Sequence, residues 1–294
     1  MGGDDGLPQQ YNSLMAYYNR GYAFFDPESS LIVKPGVCGY IDGSGSWHTL
    51  VNAASDAATK KANLGQIDRT NYYKPGPSTR IWGAMHTETV EMATVGVEAG
   101  APLPAGIPAV ASALAEFTLN SDIGAVLLIK GDVTKRTVET PDLFRTWARD
   151  NAEKLLVMSP SIREYGFYVV TSTYTAKDVY IKAWKNKSHK LNLGFSGGVD
   201  SVAEINANTE IYGASSASGW NHPVCKDKEE KVVFFGGWKY QYHTLTNWMR
   251  QSGDKFKEIP MEKWRGDNHI FKDPESQDDA VEVNESLVED KAKF

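Results

Sequence analysis

The sequence predicts an α+β protein, in which a few helices accompany long, paired β-strands. Residues 84–129 and 163–211 carry the strand signal, because each segment holds two runs in which apolar and polar residues alternate. Residues 140–156 carry the clearest helix signal, because apolar residues recur there at intervals of three and four. The chain is 41% hydrophobic and 23% charged over 294 residues, which is the composition of a folded globular protein.

The predicted helix at 140–156 also has a recognisable start. Thr140 suits the N-cap, Pro141 the first helical position, and Asp142 the positive end of the helix dipole. Weaker patterns predict two more helices and one short strand, at residues 13–25, 49–61 and 30–33, respectively.

Each strand segment is predicted to form a long hairpin. The first pairs residues 84–98 with 112–129, and residues 99–115 at its apex carry no charge. The second begins with the aromatic and β-branched run 165–174, and it continues with alternating residues at 190–195 and a polar run at 199–211. Hairpins of this length suit a half-exposed sheet in water, and they equally suit strands that cross a bilayer. The alternation alone does not distinguish a half-exposed sheet from membrane-crossing strands.

Charge is unevenly distributed along the chain. The net charge is −6, and residues 272–294 hold eight acids against three lysines. We therefore predict a folded domain over residues 1–250 and a disordered acidic tail over 251–294. Five lysines between the predicted strands of the second hairpin form a basic patch, which suits either a solvated turn or attraction to anionic lipid: Lys177, Lys182, Lys185, Lys187 and Lys190. Nucleic acid is not an expected partner, because the body of the chain is not basic.

One glycine-rich stretch suggests an alternative function. Residues 194–198 match the G-x-S-x-G motif of serine hydrolases, and residues 196–201 (SGGVDS) resemble the phosphate loop of ATP pyrophosphatases. The alternative is therefore an ATP-binding enzyme. Only 93 residues follow Ser201, without an amphipathic helix, so the βα units that such an enzyme needs do not fit. A sugar-binding β-protein is a third possibility, with three tryptophans as stacking surfaces: Trp220, Trp238 and Trp248.

No catalytic residue, metal site or cofactor is predicted. Cys38 and Cys225 lie far apart in the sequence and fit neither a disulfide framework nor a metal cluster, so we expect buried thiols. The first residues lack the basic and apolar order of a secretory signal, so the cytoplasm is the expected location.

Three short motifs resemble a known family. Residues 34–42 (KPGVCGYID), with Gly45, Trp47 and Leu50, resemble the N-terminal signature of fungal gasdermin-like proteins, the regulator-of-cell-death group of allorecognition. Residues 165–171, followed by Tyr174 and Lys177, are similar to the strand that begins the second insertion hairpin of gasdermins. Residues 231–238 resemble the last strand of the fungal members. The resemblance covers roughly residues 11–245.

This resemblance implies a soluble α+β protein with a twisted antiparallel sheet and packed helices, and it implies no enzymatic activity. On activation such a protein binds acidic phospholipid at the plasma membrane, oligomerises with itself or with a variant homologue, and inserts two β-hairpins per subunit. The result is a pore and lytic programmed cell death. Animal gasdermins are silenced by a large C-terminal domain, so here we expect either residues 252–294 or a variant partner to control activation.

The resemblance also indicates which residues act. Lipid binding is assigned to Arg20 and the five lysines of the basic patch. Membrane insertion is assigned to twelve residues of the two hairpins: Val95, Val97, Leu103, Ile107, Val110, Phe117, Leu119, Phe167, Val169, Leu191, Leu193 and Phe195.

Overall fold

Antiparallel strands dominate the structure, and few helices pack against them. A computed structural model describes residues 6–68, 75–96, 111–121, 123–184, 190–196, 201–204, 210–211, 221–223, 225, 229–242 and 256–260. The helices are α1 (Leu7–Met15), α2 (Asp56–Lys61), α3 (Pro141–Met158) and α4 (Ile162–Tyr165). The α+β class predicted from the sequence is therefore confirmed.

The described strands number sixteen within these ranges. They are β1 (Tyr22–Ser29), β2 (Val37–Ile41), β3 (Trp47–Asn52), β4 (Ser78–Ile81), β5 (Met85–His86), β6 (Val90–Gly96), β7 (Ala111–Leu119), β8 (Gly124–Lys130), β9 (Asp132–Thr137), β10 (Phe167–Ala176), β11 (Asp178–Trp184), β12 (Lys190–Ser196), β13 (Ser201–Glu204), β14 (Glu210–Ile211), β15 (Lys231–Tyr242) and β16 (Phe256–Pro260).

The main sheet has β10 and β15 at its centre. Its order is β1-β15-β10-β2-β3, with β16 paired to β15, β9 paired to β10 and β4 paired to β9. Nearly all of β10 is buried, because the sequence there is dense in aromatic and β-branched residues. Helix α3 covers one face of this sheet, and its Phe144 and Leu155 pack with Phe167 and Val169 of β10. The predicted helix at 140–156 is thus confirmed, although the Thr140 hydroxyl makes no capping hydrogen bond.

The opposite face of the main sheet is an aromatic cluster. Phe235 of β15 is fully buried there, and its ring lies 5.3 Å from those of Tyr22 and Phe24 and 5.5 Å from those of Trp47 and Tyr168. This cluster explains why the N-terminal aromatic residues form a strand. The predicted helix at 13–25 is wrong in its position, since α1 ends at Met15.

Local backbone geometry accounts for this error and for two others. Asn19 and Gly21 have φ of +51° and +88°, which a helix cannot accommodate, so the chain turns and enters β1. The predicted strand at 30–33 is a turn, in which the N–H groups of Ile32 and Val33 both bond to Ser29 O. The predicted helix at 49–61 is partly wrong, because residues 47–52 are strand β3 and the helix begins only after Ser55, whose hydroxyl caps it.

The KPGVCGYID motif builds the β2–β3 hairpin. Gly36 has φ of +94°, and its N–H bonds to Val170 O of the main sheet. The ring of Trp47 lies against Gly39, where a Cβ would collide with it. Asp42 accepts hydrogen bonds at the turn from the N–H and hydroxyl of Ser44 and from the N–H of Ser46, and it pairs with His48 Nε2 at 2.7 Å. The motif therefore has a structural role in the described fold.

The stability of this hairpin depends on the ionisation of Asp42. Desolvation acts to raise the pKa of its carboxyl group, but the hydrogen bonds from Ser44, His48 and Ser46 outweigh it and lower the pKa to about 2. The ionised carboxylate therefore contributes stability that is present above the unfolded pKa of about 3.9 and is lost as the pH falls toward 2.

We expect Asp42→Asn to lower the free energy of unfolding by about 1 kcal/mol near pH 6, because the substitution removes the charged acceptor of these bonds. The difference from the native chain should shrink as the pH falls from 4 to 2, which thermal denaturation over this range measures. A difference that stays constant down to pH 2 would contradict the proposed role of the carboxylate.

Strand β16 lies within the range assigned to the acidic tail. Its residues pair antiparallel with β15, from Trp238↔Pro260 to Tyr242↔Phe256. The sheet therefore extends ten residues beyond the domain boundary predicted at residue 250. Residues 261–294, which include the acidic stretch, lie outside the described residues.

Candidate functional site

The two predicted hairpin segments meet in one antiparallel sheet. Its strand order is β14-β13-β12-β7-β6, so β7 of the first segment pairs directly with β12 of the second. Strands β6 and β7 form the first hairpin, and β12 and β13 form the second. The predicted pairing of residues 84–98 with 112–129 is confirmed for β5 with β8 and for β6 with β7, which lie in two separate sheets, and residues 97–98 lie outside the described residues. We call β6, β7, β12 and β13 the hairpin sheet.

Along both chain segments, the pairing of β7 with β12 in the hairpin sheet lies next to the pairing of β8 with β11. Strand β8 pairs with β11 up to Gly124↔Trp184, and β7 pairs with β12 from Thr118↔Lys190 onward. Thr118↔Lys190 lies six positions along both strands from Gly124↔Trp184, so the two pairings have the same register. We call these two pairings, Lys130↔Asp178 to Gly124↔Trp184 and Thr118↔Lys190 to Ala113↔Phe195, the ribbon.

A single-residue bulge marks where the ribbon leaves the main sheet. Thr134↔Thr175 and Lys130↔Asp178 are paired positions, so one strand has one more residue than the other between them. Gly131 lies in this interval with φ of +82°, as expected for the glycine of a β-bulge. The ribbon can therefore take a different direction from the main sheet at this residue.

The two faces of the hairpin sheet differ in polarity. Directly opposed residues of antiparallel strands share a face, and residues two apart along a strand do so as well. Apart from Thr94 and Glu204, one face consists of apolar residues and glycine, and we call it the apolar face: Val90, Met92, Gly96, Ala113, Ala115, Phe117, Leu119, Leu191, Leu193, Phe195 and Val202. The opposite face, which we call the polar face, carries the charged and amide residues Glu91, Glu116, Lys190 and Asn192.

The base of the apolar face packs against the body of the protein. Val90, Phe117 and Leu119 are buried, and the ring of His86 packs edge-on against Phe117 at 6.1 Å. Met92, which is directly opposite Phe117 on β6, is 42% exposed.

Polar contacts compensate for irregular strand pairing at the base of the first hairpin. Thr87 is fully buried, and its hydroxyl bonds to Thr89 Oγ1 at 2.8 Å and accepts the Ala125 N–H at 3.1 Å. The Thr89 hydroxyl in turn donates to Ile123 O at 2.8 Å. These bonds satisfy backbone groups that the irregular pairing would otherwise leave unpaired.

An ion pair fixes the base of the ribbon on the main sheet. Arg136 of β9 donates to Glu230 Oε2 at 2.7 Å and to the Thr175 hydroxyl at 2.6 Å, and Thr175 donates to the same carboxylate oxygen. Desolvation acts to raise the pKa of Glu230, but the bonds from Arg136 and Thr175 outweigh it and lower the pKa below the usual value. Sequence analysis missed this network, because its members are far apart in the chain.

The structure relocates the lysines of the predicted basic patch. Lys177 is exposed between β10 and β11, Lys182 lies within β11 opposite Val126, and Lys190 begins β12. Because β11 and β12 are strands, the prediction that Lys182 and Lys190 occupy a hairpin turn is wrong. The second hairpin turns between Ser196 and Ser201 instead. Lys185 and Lys187 lie outside the described residues.

Arg20 stacks on aromatic rings of the core. Its guanidinium carbon lies 4.3 Å from the ring centre of Trp82 and 5.3 Å from that of Tyr174. In this state the side chain is half-buried, and it therefore contributes a cation–π contact to packing. Its predicted lipid contact stays a prediction.

The predicted membrane-inserting residues fall into four groups. Phe167 and Val169 are fully buried in the core under α3, which gives them a packing role. Val95 lies on the polar face of the hairpin sheet, opposite Leu114. On the apolar face are Phe117, Leu119, Leu191, Leu193 and Phe195. The remaining four, Val97, Leu103, Ile107 and Val110, lie outside the described residues.

The first and last residues of the SGGVDS motif lie on two paired strands. Ser196 ends β12, Ser201 begins β13, and these two residues are directly opposed in an antiparallel pair. A phosphate loop and a nucleophile elbow both require a helix after the motif, and here a strand follows it. The structure therefore does not support the enzyme alternative.

Of the three tryptophans considered for sugar binding, the structure describes one. Trp238 is half-buried against the core, with the Arg145 guanidinium 4.9 Å from its ring centre. Trp220 and Trp248 lie outside the described residues. Among the described helices, none is long and apolar enough to cross a membrane.

Comparisons with known proteins give a structural likeness and no match in sequence. No family model and no curated protein matches the chain. Among solved structures, a bacterial gasdermin from Bradyrhizobium tropiciagri is similar over 87% of this chain and 92% of its own, with 11% sequence identity and a TM-score of 0.28. At this TM-score the likeness by itself establishes neither fold nor function. Because that protein is bacterial, the fungal group named from the motifs stays a prediction.

Proposed function

We propose that the protein is a pore-forming effector of lytic cell death, which binds acidic phospholipid, oligomerises and inserts two β-hairpins per subunit. The observation that carries the proposal is the hairpin sheet, in which β7 and β12 join both hairpins and one face is almost wholly apolar. Strands that cross a bilayer need an apolar side toward lipid and tolerate a polar side toward water.

Three further features support this function. Strand β7 is long enough, since its nine residues extend about 30 Å at about 3.3 Å per residue and the hydrocarbon core of a bilayer is about 30 Å thick. Met92 on the apolar face is already 42% exposed, as expected for a surface that later contacts lipid. The bulge at Gly131 provides a point at which the ribbon can reorient while the main sheet stays folded. The motif resemblance to gasdermins agrees with all three.

Dye release from vesicles tests the proposal. The full chain and a chain ending at Pro260 are mixed with phosphatidylcholine vesicles that contain or lack cardiolipin. We expect release from the acidic vesicles only, and a faster rate for the shorter chain if residues 261–294 restrain the protein. Equal, negligible release from both kinds of vesicle by both chains would contradict the proposed function.

The basic residues near β11 and β12 are proposed to bind lipid headgroups. We expect the double variant Lys185→Glu with Lys187→Glu to slow dye release from cardiolipin vesicles at least tenfold at low salt, since each basic residue near an anionic surface contributes about 1 kcal/mol. The defect should become smaller at high salt, because salt screens the attraction.

The matched control replaces the same two lysines with glutamine. This variant loses the positive charge without adding repulsion, so its release rate should lie between those of the native chain and the glutamate variant. If both variants release dye at the native rate at low salt, these lysines do not contribute to lipid binding.

A further inference from the structure

Helix α1 packs on one face of the ribbon, at the part where β8 pairs with β11. That face carries three opposed apolar pairs: Val179↔Ile129, Ile181↔Leu127 and Ala183↔Ala125. Tyr11 and Met15 of α1 are fully buried in the same core cluster as these residues. Helix α1 therefore helps to shield this part of the ribbon from water, although it belongs to no sheet.

A tyrosine hydroxyl in the turn after α1 fastens this region to the edge of the β11-β8-β5 sheet. Strand β5 is the edge strand, and β8 pairs with one side of it. On the other side, the Tyr18 hydroxyl donates to His86 O and accepts the His86 N–H, both at 2.8 Å. One side chain thus satisfies both backbone groups of an edge residue.

Side-chain contacts also tie α1 to the main sheet. Asn12 Oδ1 accepts the Ala23 N–H of β1 at 2.8 Å. The Tyr11 ring packs edge-on against that of Phe25, with centroids 5.6 Å apart. Helix α1 is therefore held by individual side chains, whereas a strand of the sheet is held by a backbone ladder.

The docked helix buries polar atoms that it does not satisfy. Within the described part of the chain, the Tyr11 hydroxyl and Asn12 Nδ2 are buried and have no hydrogen-bond partner. Burial raises the pKa of the Tyr11 hydroxyl well above its usual value. A polar group that is buried without a partner costs free energy, which is recovered when the group meets water. The docked position of α1 is therefore less stable than its apolar contacts alone would make it.

The link between this region and β1 has the geometry of a hinge. Asn19 and Gly21 both have positive φ, and β1 begins directly afterwards at Tyr22. In the docked state a Cβ at residue 21 would collide with Phe235 O, so only glycine fits there. Rotation at residues 19–21 would move α1 while β1 stays paired in the main sheet.

We propose that residues 7–18 form a clasp, which holds the ribbon in the resting protein and moves away by rotation at residues 19–21 before membrane insertion. This inference rests on the proposed function. Opening of the clasp breaks the bonds between Tyr18 and His86 and exposes the apolar pairs of β8 and β11, but it hydrates the Tyr11 hydroxyl. The balance of these terms sets the fraction of molecules in which the ribbon is free.

Two substitutions that each remove one hydroxyl from the clasp should change dye release in opposite directions. Tyr18→Phe removes the bonds to His86, so we expect the full chain to release dye from cardiolipin vesicles about fivefold faster than the native chain. Tyr11→Phe removes a buried hydroxyl that has no partner, so we expect release about fivefold slower. Native rates in both variants, or changes in the same direction, would overturn the inference.

Tyr240→Phe is the control for a change in stability alone. The Tyr240 hydroxyl donates to Arg145 O at 3.3 Å, and the residue is buried in a different core cluster, with α3. We expect this variant to melt below the native chain, as Tyr18→Phe should, but to release dye at the native rate. Equal acceleration by Tyr18→Phe and Tyr240→Phe would show that general stability limits release, which would overturn the inference.

Hydrogen–deuterium exchange at the Ala23 amide reports on the clasp directly. The Asn12 side chain protects this N–H, so exchange should be slow in solution. On cardiolipin vesicles we expect fast exchange at Ala23, while the amides of β10 at the centre of the main sheet stay protected. Protection retained at Ala23 in native protein that releases dye would overturn the inference and leave the proposed function standing. Absence of release from the native chain and all three variants would instead contradict the proposed function.

Discussion

Replacing Leu193 with lysine is expected to reduce dye release from cardiolipin vesicles at least tenfold. Leu193 lies on the apolar face of the hairpin sheet, opposite Ala115 of β7. A lysine on the lipid-facing side of a membrane strand costs about 2–4 kcal/mol near the bilayer midplane, and the cost recurs in every subunit of a ring. The rate of dye release at fixed protein concentration measures the effect.

Asn192→Lys is the matched control for this substitution. It adds the same charge one residue away, on the polar face, so any attraction of the added lysine to acidic lipid is common to both variants. We expect Asn192→Lys to release dye at or above the native rate, and both variants to melt within a few degrees of the native chain. Equal impairment of the two variants would show that the two faces do not have different environments in the membrane.

Replacing Phe235 with alanine is expected to lower the free energy of unfolding by about 3–5 kcal/mol. The ring is fully buried among four aromatic neighbours, so its removal leaves a cavity that a sheet core cannot easily close. Because a domain of ordinary stability has only about 5–15 kcal/mol in total, the loss should be evident in urea denaturation as a large shift of the midpoint.

A surface substitution provides the comparison for Phe235→Ala. Val157 near the end of α3 is 83% exposed, and alanine is a better helix former, so Val157→Ala should change the unfolding free energy by less than about 0.5 kcal/mol. A change at Phe235 as small as that at Val157 would mean that the aromatic cluster does not stabilise the main sheet.

Local patterns in the sequence were sufficient to predict α3 and the long strands of the first hairpin. The period of three and four in residues 141–158 and the alternation in β7 are properties of single segments, and the fold preserves them. The N-terminal aromatic run was misjudged, because α1 ends earlier, before two residues with positive φ, and the aromatic cluster favours strand in the residues that follow.

Pairings between distant segments could not be predicted in this way. The lysine-rich stretch suggested a turn because it is polar, yet Lys182 and Lys190 lie on strands, and the second hairpin is closed by the pair Ser196↔Ser201. Alternation shows that a strand has two faces but does not identify its neighbour, so the pairing of β7 with β12 is visible only in the structure.

The direct pairing of β7 with β12 bears on how the proposed membrane insertion would proceed. Two hairpins that are already hydrogen-bonded to each other form a single mechanical unit, so neither can enter lipid while the other stays behind unless seven consecutive residues of β12 lose their partners. Entry of one subunit should then be a concerted, all-or-none event. A substitution that prevents one hairpin from inserting should therefore prevent insertion of the other.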